Sequence, residues 1–144
     1  MAPSIRRLLE PMPCLAAASA LAACAGERTD FRPAFLKDDQ AVIYVYRPGE
    51  GLGAGGPVTV VVNQEPVALL RGGDHWVQVV PAGEHLVRVE GGSSAVARIT
   101  LRPSESAYLR VRNAGLMTKT TIEDVPSETG QRQIAATAAA RPAR

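Results

Sequence analysis

The sequence predicts an all-β fold: a single antiparallel β-sandwich of seven or eight strands with a short C-terminal helix. Three observations predict it. Every valine lies between Val42 and Val125. Within that region short apolar segments are punctuated by Gly and Pro, the spacing of strands joined by tight turns. Three of these segments, 84–90, 95–102 and 107–113, alternate inward apolar with outward polar side chains, the period of a half-buried strand. The 144 residues allow one such domain with a short appendage.

In chain order, the first strand is 41–47 (AVIYVYR), stopped by Pro48-Gly49. Strands then follow at 57–63 (PVTVVVN), 66–70 (PVALL) and 75–80 (HWVQVV), the last two separated by Gly72-Gly73. After Pro81-Ala82-Gly83 comes 84–90 (EHLVRVE), and after Gly91-Gly92 comes 95–102 (AVARITLR). Pro103 removes a ladder donor and opens a further turn, leading to 107–113 (AYLRVRN) and, past Gly115, to 116–123 (LMTKTTIE). Pro126-Ser127 starts a helix that runs on through Ile134 and several alanines, although Gly130 counts against it. Residues 138–144 read as a frayed end.

Face consistency sets the expected registers, because a one-residue slip turns every side chain over. Around Pro81-Ala82-Gly83 the expected hairpin pairs Val79 with His85 and Val77 with Val87. Trp76, Gln78, Leu86 and Arg88 then share the other face. Around Pro103 the expected hairpin pairs Leu101 with Ala107 and Ile99 with Leu109. Arg98, Thr100, Tyr108, Arg110 and Arg112 line its polar side. Each sheet would then have one dry and one wet face.

The N-terminal part has a different logic. Arg6 and Arg7 precede a short, Ala-rich apolar stretch from Cys14 to Ala23, the order of a secretory signal. Glu10, Pro11 and Pro13 interrupt its front. Glu10 stands where a twin-arginine signal wants an apolar residue, which favours the general secretory route. Leu21-Ala22-Ala23-Cys24 resembles the lipobox of bacterial lipoproteins at all four positions. The resemblance implies cleavage between Ala23 and Cys24, a thioether-linked diacylglycerol on Cys24 and acylation of its new amino group. It divides the chain into a signal peptide (1–23), a lipidated tether (24–40), the sandwich (41–125) and a C-terminal segment (126–144). Phe31 and Phe35 are the tether's only aromatic anchors. Ala25, rather than an Asp, follows the Cys, which by the enterobacterial sorting rule favours the outer over the inner membrane. Cys14 and Cys24 are the only cysteines, so no thiol would remain for a disulfide, a metal or a nucleophile.

A second resemblance is carried by AVIYVYRP (41–48), VTVVVNQEPVALL (58–70), PAGEHLVRV (81–89) and LRPSESAYLRV (101–111). In this order they are similar to the β-domain of a family of bacterial lipoproteins without an assigned activity, and to PEGA-type surface β-domains. The resemblance spans roughly residues 40–125. It implies the fold and the envelope address and supplies no catalytic residue.

Composition narrows the function classes. Sixteen Lys and Arg against 14 Asp and Glu leave a net charge of +2, no general case for a nucleic-acid partner. No apolar run reaches the ~18 residues of a spanning helix. Gly51-Leu52-Gly53-Ala54-Gly55-Gly56 matches a dinucleotide fingerprint, but Pro57 and a Val-rich strand follow where a helix is required. That excludes a phosphate cradle and leaves a hairpin loop, with no cofactor expected. His75 and His85 each follow an acid, yet the hairpin register puts their rungs about 13 Å apart, too far for one metal ion. No metal site is expected. Asp74 and His75 point to opposite faces of a strand, so no nucleophilic triad forms there. Asp38-Asp39 and Glu123-Asp124 sit at element boundaries as solvated charge.

The remaining candidate is an anion-binding face of Arg88, Arg98, Arg110 and Arg112, since like charges across a rung need a reason. Phospholipid head groups, lipopolysaccharide phosphates or the acidic surface of an envelope protein would be its partners. The function expected is therefore a non-enzymatic binding or structural module held to the envelope membrane by its lipid. The alternatives are an envelope hydrolase with a His-centred site and a cytosolic β-domain with a disordered N-terminal arm.

Overall fold

The computed structural model describes residues 36–49, 55–113 and 119–144. The expected signal peptide with Ala23, the expected lipidation site Cys24, Phe31 and Phe35, Gly51–Ala54 and Gly115–Thr118 lie outside the described residues. The strands are β1 (Gln40–Tyr46), β2 (Val58–Val62), β3 (Glu65–Leu70), β4 (Asp74–Pro81) and β5 (Gly83–Glu90). They continue with β6 (Ala95–Leu101), β7 (Ser106–Asn113) and β8 (Thr120–Val125), followed by helix α1 (Ser127–Ile134). Two short strands end the chain, β9 (Ala138–Ala139) and β10 (Arg141–Pro142). They form two five-stranded sheets in the orders β8-β7-β1-β4-β9 and β10-β3-β2-β5-β6. The all-β sandwich with a short C-terminal helix is as expected, but among the described residues it has ten strands rather than seven or eight, and the β1–β7 and β4–β9 pairings are parallel.

Between the sheets, Ala41, Ile43 and Val45 of β1 meet Val58, Val60 and Val62 of β2, Val87 and Val89 of β5, and Leu109 and Val111 of β7. Each fully buried aliphatic side chain contributes roughly 1.5–3 kcal/mol, so this layer carries most of the fold's stability. The other face of β1 is dry too. Val42, Tyr44 and Tyr46 form a second cluster with Tyr108, Val125 and Ile134, roofed by α1. Tyr44 and Tyr108 stack there with ring centroids 4.7 Å apart. The expectation of one wet face per sheet therefore fails for the first sheet. Its central strand is buried on both sides because a helix covers it.

Two-residue turn chemistry makes the β2–β3 hairpin. Asn63 (φ 50°) and Gln64 (φ 73°) both take positive φ between the paired Val62 and Glu65, as a type I′ turn demands. Pro66 follows, opposite Val61 on the rung next to Val62–Glu65. Its missing N–H faces away from β2, where no ladder bond is lost.

Neither of the two hairpins expected around Pro81 and Pro103 forms, and β1 and β2, expected to be joined as a hairpin, lie in different sheets. β4 pairs antiparallel with β1 (Val45↔Trp76, Ile43↔Gln78), while β5 pairs with β2 and β6. The chain changes sheets at Ala82. Trp76 packs against the inter-sheet core, and Val77 and Val79 lie on the opposite face from it. The faces of β4 are thus the reverse of those expected. At Pro103 the chain changes sheets again: β6 joins β5, and β7 runs parallel to β1. Ile99, Leu101, Ala107 and Leu109 do share the core, but across the inter-sheet space rather than along a ladder.

The C-terminal residues do not fray. β9 runs parallel to β4 with Ala138 N–H donating to Gly73 O at 2.8 Å, and β10 pairs with β3. Residues 138–142 thus strap the β4 edge of one sheet to the β3 edge of the other. Among the described residues the opposite edges, β6 and β8, have no such cover.

Candidate binding cleft at the open side

The tail covers the β3/β4 side of the sandwich. On the β6/β8 side Ser93 bonds Thr120 at the start of β8, with Thr120 N–H donating to Ser93 Oγ at 2.7 Å, and towards the other end of these two strands a cleft of ≈ 520 Å³ lies between the sheets. Ile99, Leu101 and Ala107, all less than a tenth exposed, make its apolar floor. Glu105, from the turn before β7, and Asp124, near the end of β8, bring carboxylates to its walls. Ser106 and Ser127 add hydroxyls.

The β6–β7 turn sets this geometry. Pro103 and Ser104 (φ 62°) form the pattern of a type II turn, closed by Glu105 N–H donating to Arg102 O at 3.1 Å. The Glu105 carboxylate accepts from Arg102 N–H at 2.7 Å, which holds the carboxylate against the turn at the cleft. Asp124 lies opposite Leu109 and so shares its inward face of the sheet. Partial desolvation first, and the Glu105 charge second, hold the Asp124 carboxyl above the usual carboxylate range.

The four candidate arginines are not brought together. Arg88 and Arg98 lie on the outer face of the β5–β6 sheet, Arg110 and Arg112 on the outer face of the β7–β8 sheet. The expected Arg98–Arg110 opposition depended on a β6–β7 hairpin, and the two strands belong to different sheets. Each arginine also has a carboxylate within 4 Å: Arg88–Glu90 at 2.7 Å, Arg98–Glu84 at 3.4 Å, and Arg110 and Arg112 both with Glu123. The shared anion-binding face is therefore withdrawn.

The histidines are likewise apart, on different sheets. Each stitches two segments of the chain. Asn63 Nδ2 lies 2.9 Å from His85 Nδ1, and His85 Nε2 lies 2.8 Å from the Pro81 carbonyl. Because a carbonyl only accepts, His85 carries its proton on Nε2 and accepts from Asn63. His75 Nδ1 is 2.8 Å from Thr137 Oγ1, whose own hydrogen goes to Ile134 O at 2.6 Å. His75 therefore donates from Nδ1 and ties β4 to the segment between α1 and β9. Burial lowers its pKa below the ordinary 6.5, opposed by the Asp74 charge.

Two features escaped the sequence reading. Arg47 is only 2% exposed; its Nη1 donates to Gly56 O at 2.9 Å, while its backbone bonds to Gly73 and Asp74. Burial lowers its pKa and the Asp74 charge opposes the shift. A cation placed directly after the apolar AVIYVY run was the available signal. The second is a polar group beside α1, where Tyr46 donates to Gln133 Oε1 at 2.6 Å and Arg110 Nε to Glu123 at 3.1 Å. Contacts between distant segments make it, and local sequence carries no sign of it.

The described residues contain no group of three or more His, Cys, Asp or Glu placed to hold a metal ion, and no helix long and apolar enough to cross a membrane. The fold defines an all-β sandwich strapped by its own tail. Comparison with protein-family models, curated proteins and solved structures finds no match to the chain.

Proposed function

We propose that this chain is a bacterial envelope lipoprotein, anchored through acyl groups on Cys24, whose sandwich is a non-enzymatic binding module. The observation that carries the reading is Leu21-Ala22-Ala23-Cys24 at the end of an apolar stretch that follows Arg6-Arg7. Three acyl chains would hold the protein far more firmly than a single chain, whose binding is marginal and reversible. The tether then sets the sandwich beside the membrane. The binding reading is supported by the distribution of polar groups. The two histidines, Asn63 and Tyr46 make hydrogen bonds within the chain. The open-side cleft combines an apolar floor with carboxylates, and such concave places with a few polar groups are where ligands usually sit.

Labelling cells with an alkyne fatty acid tests the anchor. The wild-type protein should incorporate the label and Cys24→Ser should not. Equal labelling of both, or labelling of neither, ends the lipoprotein reading.

A further inference from the structure

The edge of β6 sits directly above the cleft, and its backbone is turned the right way to use it. Asn63 N–H donates to Leu86 O at 2.9 Å, so Leu86 directs its backbone groups toward β2. Successive residues of a strand alternate in this respect. His85, Val87 and Val89 therefore bond β6, through Ile99, Ala97 and Ala95. The residues between them, Val96, Arg98 and Thr100, direct their N–H and C=O groups to the free edge. Among the described residues no strand pairs with them there. Proteins usually blunt such an edge with Pro, a bulge or a covering segment. This chain does so on the other side, where β9 and β10 lie along β4 and β3. β6 has no Pro, keeps an unbroken register with β5 and exposes Val96 at 58%.

We propose that the β6 edge and the cleft beneath it dock an extended segment of a partner protein, which adds as a further strand and lays a Lys or Arg side chain against Asp124 and Glu105. The proposal rests on the reading of the sandwich as a binding module and does not require the lipid anchor. Main-chain hydrogen bonds to Val96, Arg98 and Thr100 would supply affinity, and alternate side chains entering the cleft would supply selectivity. The inward positions of the added strand continue the face of Ile99 and Leu101, so its apolar residues meet the cleft floor. The charge of the cleft selects a cation. Its carboxylates lie on the inner side, whereas the Arg98 guanidinium points to the outer face and meets Glu84. A second copy of this chain does not fit. The inward side chains of its own β6, Ile99 and Leu101, are buried in its own core and cannot also enter the cleft.

Titration of the full-length protein with fluorescent heptapeptides tests this. The probe is Thr-Val-Thr-Lys-Thr-Val-Thr, which presents Val-Lys-Val on one face; a second peptide has Glu for Lys. Two further forms are N-methylated at alternate residues, one in each phase. The Lys peptide should bind at least about ten-fold tighter than the Glu peptide, and one N-methyl phase should abolish binding. Asp124→Asn should reduce the Lys preference several-fold. Thr100→Pro should abolish binding, since its N–H faces the free edge and its loss removes no bond to β5. If that variant does not fold, the N-methyl pair still decides. Equal binding of the Lys and Glu peptides, equal binding of both N-methyl forms, or no binding overturns the proposal. So does a dimer that Thr100→Pro dissociates, which would make a second copy the occupant. Repeating the titration with Cys24→Ser protein separates the two readings, because loss of the anchor should leave peptide affinity unchanged.

Discussion

His75 shows how a side chain can be both a structural clamp and a source of pH dependence. Its Nδ1–H holds Thr137, and Thr137 in turn bonds the last turn of α1. Burial lowers the ring's pKa below 6.5. Above that pH neither the native nor the unfolded ring binds the extra proton, so the contribution is fully present. As pH falls through 6.5 the unfolded chain takes up a proton that the native ring resists. Stability then declines until the folded-state pKa is passed. Each unit of depression corresponds to about 1.4 kcal/mol. Denaturant unfolding at about pH 7.5 and about pH 5.5 should show wild type losing more stability on acidification than His75→Gln. Equal losses would remove this assignment. The surface arginines belong to a different regime. Arg98–Glu84 is well exposed on both sides, and such a pair contributes little.

Helix α1 is an element whose least helical residue is its most necessary one. Gly130 lies mid-helix, where Gly costs about 1 kcal/mol relative to Ala. A Cβ at this position would overlap the Tyr108 side chain, so the glycine lets the helix settle onto the stacked tyrosines. Gly130→Ala should therefore destabilise by about 1–3 kcal/mol despite the better propensity, the usual cost of overpacking. Thermal unfolding would check it, and a raised midpoint would show that the helix can shift. Ile134, fully buried one turn later, fixes the other end of the same contact. The helix is short and relies on this packing, since isolated helices of such length are marginal.

At the scale of the molecule, the tail decides which side of the sandwich is closed. Ala138, Ala140 and Ala143 donate to Gly73 O, His75 O and Val67 O at 2.8, 2.7 and 3.1 Å, spanning both sheets. Truncation after Thr137 should lower stability by several kcal/mol, given that each lost bond costs about 0.5–1.5 kcal/mol and two edges lose cover. It should also promote association through the bared β3 and β4 edges. Sedimentation velocity and denaturant unfolding of the truncated protein would show both effects. A monomer of unchanged stability would mean the strap is dispensable. The same asymmetry is why the proposed docking edge is β6 and not β3 or β4.

Local sequence determined the strand content of this protein. The Val-rich segments, the Gly and Pro breaks and the alternation of Ile99 and Leu101 with Arg98 and Thr100 are short-range properties, and burial of one face follows from them. Pro126-Ser127 likewise marked the start of a helix that the structure contains. The unbroken apolar run AVIYVY held the signal of a strand buried on both faces, whereas the expectation gave every sheet one wet face. Only the tertiary structure decided which strands pair. An inward face stays inward whether the next strand lies beside it or across the core, so face consistency could not separate a hairpin from a change of sheet. Trp76 and Val77 exchanged faces, and the four arginines were divided between two sheets, for that reason. The cleft was illegible for the same cause. Antiparallel pairing of β7 with β8 brings Glu105 and Asp124 together, and they line a cleft only because β6, with Ile99 and Leu101, lies across from them in the other sheet, an outcome fixed by packing between sheets rather than by any local preference.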